Sequence, residues 1–282
     1  MKKLFAVLGD PIGHSMSPVM HNDLFSFYNI DAHYLPFQVK PENLGDAVKG
    51  LKAIGAGGFN VTIPHKSAII PFLDEVDELA LQIGAVNTVV NENGKFIGYN
   101  TDGLGFLKGL ADDGISITES KVLIIGAGGA ARGIYFTIAK SGPKAVDIAN
   151  RTVEKAAKLV EECPFQIPSK AISLTEAAEK MGEYDLIIQT TMSGMSPNLD
   201  EQPVSMENIQ DQALVCDIIY NPLETKLLRE AKQKGARIQI GIEMFVYQGA
   251  LAFEKWTGIF PDAKRMRENV LQQLGGTSNV NR

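Results

Sequence analysis

The chain has 282 residues, is 45% hydrophobic and 21% charged, and carries a formal net charge of −6. That length suits two domains of ~100–200 residues each, and the acidic balance argues against a nucleic-acid surface, which shows itself by basic excess. No run approaches the ~20 apolar residues of a bilayer span, and the apolar start MKKLFAVL stops at Gly9-Asp10-Pro11, too short for a signal-peptide core.

In chain order, Leu4–Leu8 reads as a buried strand and Ser17–Tyr28 as a helix opening on Ser-Pro, a favoured first turn. His33–Val39 is strand-like, Glu42–Ile54 helical and Phe59–Ile63 a strand again. The acidic run Asp74–Glu78 reads as a solvated helix face. Val86–Val90 and Phe96–Tyr99 flank Asn93-Gly94, a strong hairpin signal, and Asp102 reads as the N-cap of a helix over Gly103–Leu110. Beyond it, Val122–Ile125, Ala145–Ala149, Leu186–Thr190 and Leu214–Ile218 are apolar runs, with helical stretches between the first three. That is the pattern of βαβ units in a parallel sheet. A helix over Leu223–Lys234 is stopped by Gly235, and a strand Arg237–Ile240 precedes a helix Glu243–Trp256. The tail GGTSNVNR is expected to fray. Cys163 and Cys216 stand far apart and read as structural thiols of a cytoplasmic protein, with no metal-site spacing.

VLIIGAGGAARG follows an apolar strand and opens a helix, and Gly126, Gly128 and Ala131 fit the G-x-G-x-x-G/A spacing of a dinucleotide-binding turn. Gly126 allows the tight turn, Gly128 lets the backbone approach a pyrophosphate, and Ala131 lets the helix pack on the strand. The helix N-terminus offers N–H groups and positive potential to the phosphates. The alternative is a strand–helix turn that merely needs glycines. The second strand ends in Asn150-Arg151-Thr152, with Lys155 one turn later, whereas Asp147 falls mid-strand. Two cations and a hydroxyl suit a 2′-phosphate, so the expected cofactor is NADP. One charge-assisted bond of ~1.5–3 kcal/mol makes this a preference of about tenfold to a hundredfold.

Four further polar patches lie at or just beyond the ends of apolar runs, where α/β sheets place ligands: GDPIGHSMSP, FNVTIPHK, GAVNTVV and GYNTDGLG. Ser15 and Ser17 offer two hydroxyls to an anionic group. Asn60, Thr62 and Asn87 suit substrate hydroxyls, and Lys66 and Asp102 supply one cation and one anion. Singly, each has a plain structural reading: Ser17 as a helix cap, Asn87 as a turn residue, Asp102 as an N-cap.

With GDPIGHSMSPVMHN, GGFNVTIPHK, IGAVNTVV, GYNTDGLGF, GAGGAAR, NRT, DIIYNPLET and GIEMFVYQGA in this order, the chain resembles the shikimate dehydrogenase family over nearly its whole length. The resemblance implies an α/β protein of two domains with the active site in the cleft between them. Residues 1–101 and 242–282 would form the substrate domain, and residues 102–241 a Rossmann-type NADP domain. It implies reversible, NADP-dependent reduction of 3-dehydroshikimate to shikimate, in the biosynthesis of aromatic amino acids. Ser15 and Ser17 would take the substrate carboxylate, with Tyr220 nearby, and Thr62, Asn87 and Gln248 would hold hydroxyls. Lys66 and Asp102 would be the catalytic pair, Lys66 carrying the proton. Gly126, Ala127, Gly128, Gly129 and Ala130, with Asn150, Arg151, Thr152 and Lys155, would bind NADP, and Ile218 and Gly241 would lie near its nicotinamide end. QTTMSGM, which contains Thr190–Met195, receives no role. The expected partner is a small molecule, with no nucleic acid, membrane or metal, and a homodimer is compatible with the sequence. His65 is the rival proton carrier beside Lys66, and Trp256 reads as core rather than interface. The rival functions are a quinate/shikimate dehydrogenase using NAD, and a non-catalytic metabolite sensor.

Overall fold

The computed structural model describes residues 2–112 and 114–275, so all of the tail expected to fray except Gly275 lies outside the described residues. The chain divides into two compact units, Met1–Thr101 with Val246–Arg282, and Asp102–Phe245.

The first unit holds β1 (Lys3–Gly9), α1 (Ser17–Phe27), β2 (Ala32–Gln38), α2 (Leu44–Ala53), β3 (Gly58–Val61), β4 (Glu75–Val76), α3 (Glu78–Ile83), β5 (Thr88–Glu92) and β6 (Lys95–Tyr99). Its sheet runs in the order β2-β1-β3-β5-β6-β4. β1 pairs in parallel with β2 and β3, whereas β3–β5 and β5–β6 are antiparallel. The hairpin turns at Asn93 and Gly94, whose φ values of 54° and 88° match the left-handed pair a tight hairpin needs. Alternate residues such as Ala6, Leu8, Phe59, Val61, Val89 and Phe96 fill a core against α2. Val86–Val90, expected as strand, enters the sheet only at Thr88, because Asn87 turns its side chain into a polar network described below.

The acidic run is not a helix face. Glu75–Val76 is a short strand paired with β6, and only Glu78 opens a helix, α3, whose cap is Asp77 accepting from the Leu79 N–H. Asp74 accepts from the Phe96 N–H and from Lys52, and Glu75 pairs with Lys95. Cations supplied by α2 and β6, invisible to a periodicity argument, set the local structure here.

The second unit alternates strand and helix. Its elements are α4 (Asp102–Asp112), β7 (Lys121–Ile125), α5 (Gly129–Lys140), β8 (Ala145–Ala149), α6 (Val153–Glu161), β9 (Ser169–Ile172), α7 (Leu174–Glu179), β10 (Leu186–Gln189), β11 (Leu214–Asp217), α8 (Lys226–Gln233) and β12 (Arg237–Gln239). All six strands are parallel, in the order β12-β11-β10-β7-β8-β9. The chain moves from β7 outward through β8 and β9, then returns to β10 on the other side of β7, the strand order of a doubly wound Rossmann sheet. The α8 helix starts at Lys226, later than expected, because the Thr225 hydroxyl caps it by accepting from the Leu228 N–H. Asp102 lies in the first turn of α4 rather than capping it. Gly103, next to it, permits close packing on α5: a Cβ there would sit 2.1 Å from Thr137 Oγ1 and 2.6 Å from the Gly133 carbonyl oxygen.

Helices α9 (Ile242–Thr257) and α10 (Ala263–Gln273) close the chain. Trp256 is core: it is 9% exposed and its indole N–H donates to the Val89 carbonyl at 3.0 Å. Cys163 is half-buried, Cys216 is buried, and neither is in a disulfide. Among the described residues, no helix is long and apolar enough to cross a membrane, and no group of three acidic, His or Cys side chains is placed to hold a metal.

Candidate functional site

In the first unit the polar patches converge at one edge of the sheet, where β1, β3 and β6 end and β5 begins. Ser15, half-buried, accepts from the Ser17 N–H with its hydroxyl at 3.3 Å. Ser17 is therefore not the cap; it is the first residue of α1, 8% exposed. The Thr62 N–H donates to Leu8 O, and the Asp10 N–H donates to Ile63 O, tying the loops after β1 and β3 together. Lys66 is half-buried, and its carbonyl accepts from the Val86 N–H at 2.8 Å, one residue before Asn87. Gln248 is half-buried on α9, beside Gly249, where a Cβ would meet Met20 of α1 at 2.3 Å.

Asn87 is 3% exposed, and its Oδ1 accepts from the Thr101 N–H at 2.8 Å and from the hydroxyls of Thr88 and Thr101 at 3.0 and 3.2 Å. The reading of Asn87 as a turn residue is set aside by this network. Asn60, expected as a substrate contact, is 7% exposed and spends its amide group inside the protein, on Tyr34, the Asn87 carbonyl and Thr88. His65, the rival to Lys66, is fully buried, and its Nε2 donates to the Val39 carbonyl at 2.6 Å. A group pinned so deeply is an anchor. His14 is exposed in the loop before Ser15, and His21 lies buried in α1, where burial pushes its imidazole down to about 3.

In the second unit, Gly126 adopts φ +116°, a backbone closed to most side chains, and a Cβ there would stand 2.5 Å from Thr190 Oγ1. Its N–H donates to the Ala149 carbonyl at 2.8 Å, bringing the end of β8 against the turn. Gly128 and Gly129 are exposed, and the space a Cβ would take above each is open. Ala127 and Ala130 flank them, half-buried. The turn and the first residues of α5 face α6 across a groove of about 270 Å³ lined by Gly128, Gly129, Arg132, Lys155, Lys158 and Glu162, among others. Asn150 is half-buried, its Nδ2 donating to Thr152 O at 2.8 Å, and Arg151, Thr152 and Lys155 are exposed. Open space over two glycines, a helix N-terminus and these cations fit a dinucleotide with a 2′-phosphate. Asp147, the sequence's nearest acid, is buried and accepts from the Tyr184 hydroxyl at 2.9 Å, which makes it a core residue.

Ile218 and Gly241 also meet: a Cβ at Gly241 would lie 2.6 Å from the Ile218 carbonyl oxygen and 2.4 Å from that of Ile219. Tyr220 is half-buried with its ring 5.0 Å from Phe245, and burial raises its phenol above the usual range. Asp217, which ends β11, holds the next turn, accepting from the Ile219 N–H at 2.9 Å and from the Thr225 hydroxyl at 2.7 Å.

Two features went unread in the sequence. Arg132 pairs with Glu162 and stacks over Phe136; the arginine closing GAGGAAR, one turn into the helix, was the available signal. The loop after β10 packs on the glycine turn. Thr190 bonds Ile125 O with both its N–H and its hydroxyl, and the fully buried Gln189 holds the backbone of Thr191 and Ser193. β7 and β10 are the strands where the order reverses, the position at which such sheets bind ligands.

Comparison with known proteins agrees along the chain. Family models described as shikimate dehydrogenase substrate binding domain, shikimate / quinate 5-dehydrogenase and shikimate 5′-dehydrogenase C-terminal domain match residues 7–89, 109–225 and 241–271. The chain is 56% identical over 277 residues to a shikimate dehydrogenase (NADP(+)) of Geobacillus sp. (strain WCH70), covering 98% of this chain and 100% of the relative. The crystal structure of shikimate 5-dehydrogenase from Thermus thermophilus, in complex with NADP(H) and shikimate, is 36% identical with a TM-score of 0.88, covering 96% of this chain and 99% of that one. That of the Listeria monocytogenes enzyme, in complex with shikimate and NAD, is 33% identical with a TM-score of 0.91, covering 95% and 96%.

Proposed function

The chain belongs to the shikimate dehydrogenase family, and from that premise we propose that it catalyses the reversible NADP-dependent reduction of 3-dehydroshikimate to shikimate, in the formation of aromatic amino acids. The observation that carries this reading is the pairing, in one chain, of an open glycine turn flanked by cations with a sheet edge lined by Ser15, Ser17, Thr62, Lys66 and Asn87.

The assignments follow the chemistry. Residues 1–101 and 242–282 bind the substrate, and residues 102–241 the cofactor. Gly126–Ala130 supply backbone N–H groups and a helix N-terminus to the pyrophosphate. Arg151, Thr152 and Lys155 hold the 2′-phosphate, with Asn150 shaping their loop. Ile218 and Gly241 border the nicotinamide. When bound, NADP supplies or accepts the hydride. The hydroxyls of Ser15 and Ser17, with Tyr220, take the carboxylate. Thr62, Asn87 and Gln248 orient the ring hydroxyls, and Asp102 accepts from a hydroxyl hydrogen. Lys66 delivers a proton to the carbonyl oxygen as the alcohol forms and removes it in the reverse direction. The protein's contribution is orientation and proton management. The catalyst works in the cytoplasm, as a monomer or a homodimer.

The experiment is the initial rate of reduced-cofactor formation with shikimate or quinate, each with NADP⁺ and NAD⁺. Turnover of shikimate with NADP⁺ well above the other three combinations is the expected result. The Listeria relative binds NAD with shikimate, which favours, as second reading, a quinate/shikimate dehydrogenase using NAD; comparable rates with quinate or NAD⁺ would select it. No turnover with any pair would leave a metabolite sensor.

A further inference from the structure

Tyr34 belongs to none of the family's motifs, yet it touches several of the elements that carry them. It lies on β2, an edge strand, with its side chain fully buried. Asn22 of α1 clasps its backbone: the Tyr34 N–H donates to Asn22 Oδ1, and Asn22 Nδ2 donates to the Tyr34 carbonyl, both at 2.9 Å. The side chain thus replaces a missing neighbour strand. One face of the Tyr34 ring stacks on His21, also on α1, with centroids 4.6 Å apart. His21 is packed in turn by Phe253 and Trp256, and neither of its ring nitrogens has a hydrogen-bond partner. An unpaired buried imidazole is costly, so its place against Tyr34 is held by packing alone.

The phenol makes the polar links. It donates to Asn60 Oδ1 at 2.7 Å. Asn60 Nδ2 donates to the Asn87 carbonyl and to Thr88 Oγ1, both at 3.1 Å. Thr88 then donates to Asn87 Oδ1 at 3.0 Å. With Thr88 and Thr101 donating to Oδ1, the Asn87 amide is held in one orientation, its Nδ2 turned to the other side. One buried chain of bonds therefore runs from Tyr34 through Asn60 and Thr88 to Asn87, while Asn22 and His21 join Tyr34 to α1, the helix that Ser17 opens.

We propose that Tyr34 is a positioning residue for the substrate: its hydroxyl, through Asn60 and Thr88, sets Asn87, at the ring-hydroxyl end, in register with α1, which its backbone and ring hold and which carries Ser17 at the carboxylate end, and Asn60 is a relay rather than a contact. This rests on the assignment of Ser17 and Asn87 to the substrate made above. A phenylalanine at position 34 keeps the ring, the clasp by Asn22 and the stack on His21. It removes only the hydroxyl, leaving Asn60 Oδ1 without that buried partner.

The test is steady-state kinetics on Tyr34→Phe and, at the other end of the chain of bonds, the isosteric Thr88→Val. Each is expected to raise KM for shikimate about tenfold, with kcat within about threefold and KM for NADP⁺ within about twofold. The double variant is expected to fall well short of the product of the two single effects, because both cut one network. A shikimate KM within twofold of wild type in both variants overturns the proposal. So does a parallel rise in KM for NADP⁺, or a loss of thermal stability with no KM split, which a purely structural residue would give. If Tyr34→Phe fails to fold, Thr88→Val alone decides by the same criteria. Wild-type turnover of shikimate is the separate control. Its absence refutes the functional reading itself, whereas an active wild type with unmoved variants refutes only the role of Tyr34.

Discussion

Asp217 is 2% exposed at the end of β11, and burial pushes its carboxyl up from 3.8 to about 6, against the pull of its bonds from the Ile219 N–H and the Thr225 hydroxyl. Because the folded-state value lies above the unfolded one, it is the protonated form that stabilises the fold. That contribution is complete below about pH 4 and is lost as pH rises through about 6. At ~1.36 kcal/mol per pH unit, ionised Asp217 costs the folded protein on the order of 3 kcal/mol at pH 7.5, a sizeable part of an ordinary stability of about 5–15 kcal/mol. Asp217→Asn mimics the protonated form. Its Oδ1 keeps the bond from the Ile219 N–H, and the Thr225 hydroxyl turns to accept from Nδ2. Urea unfolding of both proteins at pH 5, 6, 7 and 8 measures the difference directly, since groups common to both cancel. The variant is expected to be more stable by up to about 3 kcal/mol at pH 7–8, with the gap narrowing toward pH 5. A gap that does not change with pH, or one that favours wild type more as pH rises, would show that Asp217 is not a buried charge held against its solvation.

Lys66→Met is expected to lower kcat on shikimate by about 10²–10⁴ while changing KM only a few-fold, since the group acts on the proton rather than on binding; single-turnover kinetics read the difference. Gly126→Ala combines a strained φ of +116° with a Cβ 2.5 Å from Thr190 Oγ1, so NADP⁺ binding measured by calorimetry should weaken by about tenfold or more, at a cost of ~1–3 kcal/mol in stability. Arg151→Ala and Lys155→Ala should each reduce the NADP⁺/NAD⁺ ratio of kcat/KM by about tenfold, read as ~1.4 kcal/mol. A ratio left unchanged by both would move the 2′-phosphate elsewhere in the groove.

The parallel sheet of the second unit was legible because each of its long strands is an apolar run bounded by turn residues, as in Val122–Ile125 and Ala145–Ala149. The missed strand β9 (Ser169–Ile172) sits at the sheet edge, with only Ile172 buried, so it lacks such a run. The acidic segment Asp74–Glu78 failed for a different reason: its partners Lys52 and Lys95 are about twenty positions away, and nothing local distinguishes a paired carboxylate from a solvated one. Among site residues the glycine turn was clearest, since a φ of +116° leaves its requirement in the sequence as glycine itself. Asn60 shows the limit. A polar residue at a strand end suggests a ligand contact, but whether its amide faces a ligand or the interior is decided by Tyr34, 26 positions earlier.

The segment FNVTIPHK places a histidine and a lysine side by side, and the structure gives them different surroundings. His65 is buried and donates to Val39 O, its N–H donates to Thr62 O, and its carbonyl accepts from the Ile69 N–H. The Lys66 carbonyl accepts from the Val86 N–H. Bonds to several different segments thus hold the backbone from which Lys66 projects. A lysine carries roughly 2 kcal/mol of rotamer entropy along its stem, and proton transfer needs its nitrogen at one place within hydrogen-bond reach. Anchoring the base of the stem leaves only the side-chain torsions to be ordered when substrate arrives. Under the proposed function, His65 serves Lys66 as an anchor, which fits a histidine at zero exposure beside a half-buried lysine.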